Sequence, residues 1–183
     1  MKNVLFLIVS LVLFSCSKEQ TEEHETSKKR IASVLSEKDF ETQKLMYSML
    51  KKEEKREIWV NKIDVLINDS RMNSNQRELL IELRGHISNE IFSEVKNDRK
   101  EIFKNIFIND FLKRAQKEFS NEFLYRNFYK MTANTVVAGE GCQCDRGSIW
   151  ACATIWSCEA SSCKPTNDGC GFVGMFECTG KCV

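Results

Sequence analysis

The chain contains few of the residues that interrupt helices. Among its 183 residues there is one proline, Pro165, and of its eight glycines only Gly85 lies between residues 30 and 130. Glycine and proline are the strongest helix breakers, so this composition argues against a loop-rich region or one built of short strands. We therefore predict a mainly α fold, with an antiparallel helical region over residues 30–130.

The chain also has few histidines and a small net charge. The two histidines are His24 and His86, and 27 basic against 26 acidic side chains leave a formal net charge of +1. Catalytic Ser-His-Asp or Cys-His sets are not available, because the histidines are isolated and the cysteines are expected to pair. Phosphate-binding and dinucleotide-binding glycine motifs do not occur in the sequence. We expect no enzyme, no cofactor and no nucleic acid partner.

The chain lacks an apolar run long enough to span a bilayer. The apolar residues 4–14, interrupted by Ser10, fall well short of the roughly 20 that a spanning helix needs. A signal peptide over residues 1–15 is the better interpretation. The run ends in Leu13-Phe14-Ser15-Cys16, which resembles the lipobox of bacterial lipoproteins. This resemblance implies cleavage before Cys16 and attachment of lipid to its sulfur. The alternative is an ordinary secretory signal cut near Ser15.

Lipidation at Cys16 implies a protein held in the bacterial cell envelope, at the outer membrane or the cell surface. Residues 17–29 contain no apolar side chain, so residues 16–29 are predicted to be a flexible tether. Residues 131–141 mix small, β-branched and glycine residues and are predicted to be an exposed linker. Cleavage there would release the C-terminal part of the chain.

Helical periodicity predicts which faces of the helices are buried. Asn73, with Gln76 three residues on, predicts a capped helix start. The Phe-rich face is predicted to be core rather than a membrane-active surface, and the charge run 51–56 to be solvent-exposed. The predicted faces are Leu45, Met46, Met49 and Leu50; Trp59, Ile63, Leu66 and Ile67; Leu79, Leu80, Leu83, Ile87 and Ile91; and Ile102, Phe103, Ile106, Phe107, Phe111, Ala115 and Phe119, continued by Phe123, Leu124 and Phe128.

No cysteine occurs between Ser17 and Gly141, whereas eight crowd into residues 142–183. A dense, even set in an exported chain indicates a disulfide framework, whose connectivity the sequence leaves open. A zinc site is disfavoured because there is no C-x-x-C pair, so no metal is expected. These residues are predicted to be a small disulfide-rich C-terminal module. Its cysteines are Cys142, Cys144, Cys152, Cys158, Cys163, Cys170, Cys178 and Cys182.

The start of this module is similar to a known bacteriocin. The segment Gly141-Cys-Gln-Cys-Asp-Arg-Gly-Ser-Ile-Trp-Ala-Cys152 and the later Gly169-Cys170-Gly171 resemble fulvocin C. The helical region resembles the bacteriocin fulvocin C-related protein family over residues 50–59 and 73–83. These resemblances imply an antimicrobial product made as a larger precursor with a helical pro-region.

Two functions remain open for the module. It is too small to bury all of its large apolar side chains alone, so an exposed patch is expected to engage a membrane or a target-cell envelope component, unless it docks on the helical region. The first function is a bacteriocin-like protein carried as a lipid-anchored precursor. The alternative is a non-enzymatic cell-surface binding lipoprotein whose module stays attached. The candidate interaction surface consists of Trp150, Trp156, Phe172 and Phe176.

Overall fold

The structure is a computed structural model that describes residues 22–132, 142–148, 150–152 and 157–183. The predicted signal peptide, the lipidation site Cys16, most of the predicted linker and Trp156 lie outside the described residues. Within these ranges the chain forms packed α-helices followed by a small module with strands and disulfides, which confirms the predicted fold class. No helix in the described ranges is both long enough and apolar enough to cross a membrane.

Helices make up most of the first described range. α1 is helical over residues 22–36. α3 packs against α4, and α4 against α6. Turns of π-helix over Phe103–Phe107 and Tyr125–Tyr129 continue α5 into α6 and extend α7. The remaining elements are α2 (Phe40–Ser48), α3 (Lys52–Ile67), α4 (Ser74–His86), a 3-10 turn (Asn89–Phe92), α5 (Asp98–Ile102), α6 (Ile108–Glu118) and α7 (Asn121–Leu124).

α1 corrects the predicted extent of the N-terminal tether. Residues 22–29, whose composition predicts flexibility, are helical. The helix is anchored just beyond them, where Ile31 and Val34 are 7% and 1% exposed in the core. Glu23 accepts a hydrogen bond from the Lys51 ammonium at 2.7 Å. The core residues and the Lys51 partner of Glu23 lie outside the segment itself, so its own composition does not reveal these stabilising contacts.

α4 begins where the sequence predicts. The Asn73 side chain accepts a hydrogen bond from the Gln76 backbone N–H at 2.9 Å, and the Gln76 side chain accepts one from the Asn73 N–H at 3.1 Å. This capping box satisfies two N–H groups that a helix start leaves unpaired. The predicted faces of α3 and α4 are also confirmed, since Trp59, Ile63 and Leu83 are at most 1% exposed.

The predicted face of α2 is only half correct, because Leu50 is 7% exposed and Met46 packs against the core, but the other two residues are not buried. Leu45 and Met49 are 56% and 78% exposed, whereas Gln43 and Lys44 are fully buried. α2 packs on the C-terminal module and on the end of α1, where polar side chains find partners. The Gln43 amide, for example, donates to the Val34 carbonyl at 3.0 Å. Hydrophobicity alone therefore misplaces Leu45 and Met49 and does not identify the buried Gln43 and Lys44.

The Phe-rich face is core, as predicted. The rings of Phe103, Phe107 and Phe111 stack in sequence, with centroids 5.1 and 5.6 Å apart. Ile102 and Ile106, assigned to the same face, are instead 54% and 64% exposed. The π-helical turn between α5 and α6 widens the helix at this point and changes which positions point inward.

The C-terminal module contains two small antiparallel ribbons. Strand β1 (Cys158–Ala160) pairs with β4 (Gly180–Cys182), and β2 (Thr166–Cys170) pairs with β3 (Phe176–Cys178). An isolated bridge joins Cys144 to Gly180. Two-stranded ribbons are marginally stable in water, so disulfides and packing must hold this module.

All eight distal cysteines pair within the module, as predicted. Each cross-link of this kind stabilises a fold by about 2–4 kcal/mol, chiefly by restricting the unfolded chain. Because every one of these cysteines is bonded inside the module, none of them links it to the helices. The pairs are Cys142–Cys163, Cys144–Cys158, Cys152–Cys182 and Cys170–Cys178.

Candidate functional site

The module packs its large apolar side chains into the helical region. Phe172 and Val173 are fully buried, Phe176 is 5% exposed, and all three belong to the core cluster formed by the helices. The Phe172 ring lies 5.7 Å from the ring of Phe111 and 5.6 Å from that of Phe128. The module is therefore docked on the helices.

This docking corrects the candidate interaction surface. Phe172 and Phe176 are core residues and are not exposed. Trp150 is half-buried against the same core, and its indole N–H donates to the side-chain oxygen of Asn109. Trp156 lies outside the described residues. The apolar surface that so small a module cannot bury alone is covered by the helices.

A left-handed turn carries these side chains into the core. Gly171, Val173 and Gly174 have φ values of 65°, 47° and 63°. A Cβ atom on Gly174 would lie 3.2 Å from the Tyr47 hydroxyl and from the Trp59 ring, so glycine permits this close approach. A β-branched residue in the left-handed region is strained, and the tight packing around Val173 holds it there.

A buried ion pair joins the same two parts of the molecule. The Lys55 ammonium on α3 contacts the Asp168 carboxylate on β2, and the two side chains are 2% and 18% exposed. Lys55 also donates to the Ser48 carbonyl at 3.3 Å and lies over the Tyr47 ring at 5.5 Å. A buried charge is tolerated only when it is paired, so this contact fixes β2 against α3.

The ion pair corrects the prediction that the whole charge run 51–56 is solvent-exposed. Lys55 precedes Trp59 and Ile63 by four and eight residues, so its spacing already placed it on the buried face of α3. Glu54 is 2% exposed as well, because it caps α3 and pairs with Arg30 at 2.8 Å. The partner of Lys55 is 113 residues downstream, and only the tertiary fold identifies it.

A polar cleft of about 610 Å³ opens at the seam between helices and module. On the side of the cleft that the helical region forms, the Lys100 ammonium donates to the Ser93 carbonyl at 2.7 Å. The opening combines carboxylates, an amide and an amine, so it is suited to a polar group rather than to an apolar one. Its lining includes Ser48, Ser93 and Lys100 from the helices, and Asn167, Asp168 and Glu177 from the module.

Asp168 is the unusual group in this cleft. Burial raises the pKa of its carboxyl group, while the contact with Lys55 acts in the opposite direction. Its Oδ1 atom is buried and has no hydrogen-bond partner among the described residues. Burial also lowers the pKa of Lys100, which lines the same cleft. A buried carboxylate oxygen without a hydrogen-bond partner is rare in folded proteins, and together with the perturbed pKa it marks this cleft as a candidate functional site.

A second cavity, of about 650 Å³, lies between α3 and α7 and includes Lys62. Burial lowers the pKa of this lysine to about 7. Its ammonium donates to the Arg126 carbonyl at 3.1 Å and to that of Lys130, and it lies over the Trp59 ring. These carbonyls end the helical segment that contains α7, so Lys62 acts as a helix-capping residue that fixes α3 against it.

Comparisons with known proteins identified no relative of this chain. No family model, curated protein or solved structure matches the chain. The resemblance to the fulvocin C-related family therefore stays a prediction from the motifs quoted above.

Proposed function

We propose that the chain is a non-enzymatic binding protein of the bacterial cell envelope, anchored by lipid on Cys16, whose cysteine module stays docked on the helices. The main support is the burial of Phe172, Val173 and Phe176 among helical side chains. Burial of each such side chain contributes about 1.5–3 kcal/mol. Separation of the module would return that surface, and the helical surface beneath it, to water.

In this proposal the polar cleft at the seam receives the partner. The carboxylates of Glu94, Asp168 and Glu177 all line this cleft. An envelope component that presents N–H or ammonium donors fits this lining. Because both parts of the chain line the cleft, partner binding requires the module to remain attached.

The docked state can be tested by cutting the linker. A site-specific protease sequence inserted within residues 136–141 would allow one cut between the two parts. We expect the nicked chain to elute as a single species in size-exclusion chromatography, since the apolar contacts persist. The matched control, nicked Phe172→Ala/Phe176→Ala, should release the module. Elution of a free module from the otherwise unaltered nicked chain would contradict the proposal.

Partner binding at the cleft can be tested on cells. A photo-crosslinking amino acid at the exposed cleft residue Asn167 is expected to trap an envelope component, whereas one at the exposed Asn61 of α3, outside the cleft lining, should not. Equal crosslinking from both positions would count against the cleft. The anchor has its own test, because labelled palmitate should enter the wild type and not Cys16→Ala.

The bacteriocin-like function is the second candidate, and one observation favours it. All four disulfides close within the module, so a cut in the linker leaves no disulfide between the fragments. The intact and the nicked chain would be applied to neighbouring bacterial strains. Growth inhibition by the nicked chain, together with a released fragment on the native cell surface, would replace our first proposal with this one.

A further inference from the structure

The cavity of about 650 Å³ between α3 and α7 is formed by the helical region alone. Its lining comes from α3, from the turn that joins α3 to α4, and from α7 with the π-helical turn that extends it. No residue that lines it also lines the polar cleft at the seam. Sites for small molecules have volumes of about 300–1,000 Å³ and combine an apolar surface with a few polar groups.

Part of the cavity wall is apolar. Leu66 belongs to the core, and Met72 and Phe123 pack against that core while lining the cavity. The ring of Phe123 is held in place by stacking on Phe119, with the centroids 4.7 Å apart. These side chains offer a surface on which the apolar body of a ligand is removed from water.

The two carboxylates in the lining each have an arginine partner. The Asp69 carboxylate lies 2.7 Å from the guanidinium of Arg71, which holds the pKa of Asp69 down at about 2. The Glu122 carboxylate lies 3.7 Å from the guanidinium of Arg126. Both acids are therefore engaged with cations other than Lys62.

Lys62 is the third cation of the lining, and no acidic side chain of the described residues pairs with it. Its ammonium donates to the carbonyls of Arg126 and Lys130 and lies 5.4 Å from the centroid of the Trp59 ring. The ammonium of Lys130 itself lies over the ring of Tyr125. An ammonium has three N–H donors, so one remains for a ligand, and neither carbonyls nor a ring supply a full counter-charge.

This positive charge is costly without an anion beside it. Burial lowers the pKa of the Lys62 amine to about 7, far below the ordinary value for a lysine. The amine of the free protein therefore exchanges its proton with solvent near neutral pH. An anion held beside it supplies the missing counter-charge and favours the protonated form.

We propose that this cavity binds a small organic carboxylate, whose anionic group pairs with the Lys62 ammonium and whose apolar body lies against Leu66, Met72 and Phe123. Three cations and two carboxylates leave the lining with one excess positive charge, which matches a monoanion better than a phosphate dianion. This site is separate from the partner cleft at the seam and does not depend on it.

Binding of the carboxylate must be coupled to uptake of a proton, because the carboxylate pairs with the charged form of Lys62. The other charged groups that line the cavity are Asp69, Arg71, Glu122 and Arg126. Carboxylates and guanidinium groups ordinarily keep their charge between pH 6 and pH 9, so the coupling belongs to the lysine. The affinity should be greatest below pH 7 and fall as the pH rises through 7.

The test uses the full chain and octanoate in isothermal titration calorimetry. We expect one octanoate per chain and an affinity that falls by up to about 10-fold per pH unit above pH 7. Titrations in two buffers of different ionisation enthalpy should show uptake of nearly one proton at pH 8. The uncharged control 1-octanol should bind at least about 10-fold more weakly and take up no proton. Absence of octanoate binding, or binding without proton uptake, would overturn the proposal.

A substitution locates the site. Lys62→Met keeps the apolar stem and removes the ammonium, so the affinity for octanoate should fall at least about 10-fold and lose its pH dependence. The matched control Lys113→Met alters an exposed lysine of α6 outside the cavity lining and should bind as the wild type does. Equal binding by the two variants would place octanoate elsewhere.

Labelling of the wild type gives a readout that does not depend on the folding of any variant. Trace acetylation with acetic anhydride at pH 7.5 modifies neutral amines, and mass spectrometry locates the modified lysines. Saturating octanoate should slow the acetylation of Lys62, because it keeps this amine protonated and covered, and should leave that of Lys113 unchanged. An unchanged rate at Lys62, or equal slowing at both lysines, would contradict the proposed site.

Discussion

Lys55 connects the two parts of the molecule at the scale of a single residue. Its aliphatic stem is buried on the same side of α3 as Trp59, and its charge meets Asp168 of the module. The two interactions depend on one another, because an ammonium group at 2% exposure requires a counter-charge. Gly180 is a second residue at which separate chain segments meet. A side chain on it would contact Glu159 and Cys158 of β1 and Arg146 of the segment bridged to β4.

Lys55→Met should destabilise the protein by about 3–5 kcal/mol, because it leaves the buried Asp168 carboxylate without its partner. Urea unfolding at pH 7 measures the change. The control Lys52→Met alters an exposed lysine of the same helix and should change stability by at most about 0.5 kcal/mol. The double variant Lys55→Met/Asp168→Asn should recover part of the loss. A Lys55→Met variant as stable as the control would refute the role given to this ion pair.

The raised pKa of Asp168 predicts a pH dependence. The folded chain binds this proton at a higher pH than the unfolded chain does. The resulting stabilisation is fully present below the unfolded pKa and is lost as the pH rises through the folded pKa. The free energy of unfolding of the wild type relative to Asp168→Asn should therefore decrease as the pH rises above about 4, the ordinary pKa of an aspartate. A difference that stays constant or increases over this range would be inconsistent with the burial of this carboxyl group.

Gly180→Ala should destabilise the module by about 1–3 kcal/mol or more, because the added Cβ would lie 2.4 Å from the Glu159 carbonyl oxygen. Backbone atoms of a paired strand cannot move aside. Gly85→Ala is the matched control: nothing lies within 4 Å of its Cβ, and alanine should stabilise α4 by about 0.5–1 kcal/mol. Thermal unfolding of both variants would show opposite shifts; equal shifts would contradict the described packing.

At the scale of elements, α2 is the helix whose buried side is set by its neighbours. It contacts β2 of the module on one side, and the end of α1 supplies carbonyl acceptors to Gln43. Lys44 packs its stem against Gly169 and donates to the Cys142 carbonyl at 3.3 Å. These two polar side chains can be buried because other elements supply hydrogen-bond acceptors to them, and Lys44 also pairs with Glu41 of the same helix at 2.8 Å.

Gln43→Ala should therefore destabilise the protein by about 1–3 kcal/mol, since it removes the buried amide that donates to the Val34 and Glu37 carbonyls. Leu45→Lys, on the exposed side of the same helix, should change stability by at most about 0.5 kcal/mol. Chemical denaturation of both variants tests the assignment of the face. The reverse order, with Leu45→Lys the more damaging, would restore the face predicted from hydrophobicity.

At the scale of the whole molecule, the helices and the cysteine module share one hydrophobic core. Side chains from α3, α6 and the turn Phe172–Gly174 belong to the same cluster. Neither part is closed without the other, because the module covers helical aromatic rings and the helices cover Phe172 and Phe176. Cooperative unfolding is expected of parts that share a core in this way.

We therefore expect a single unfolding transition for the oxidised chain. Far-ultraviolet circular dichroism reports chiefly on the helices, and the fluorescence of Trp150, at the module boundary, can be isolated with Trp59→Phe/Trp156→Phe. The two signals should change at the same urea concentration. Separate midpoints, with the module released first, would show that the two parts fold independently and would weaken the proposed function.

Local chemistry in the sequence determined much of this protein. The scarcity of glycine and proline predicted the helices, Asn73 with Gln76 predicted the start of α4, and the spacing of Trp59 and Ile63 predicted the buried face of α3. The density of cysteines predicted four disulfides within the module. These features depend on neighbours within a few residues, or on composition alone, so they can be read without the fold.

The tertiary structure decided everything that depends on residues distant in the chain. It chose one disulfide pairing, turned Gln43 and Lys44 of α2 inward, and buried Lys55 because Asp168 arrives from the module. It also moved Phe172 and Phe176 from a predicted surface into the core. Hydrophobicity indicates that a side chain will be covered, but only the assembled fold determines which partner covers it.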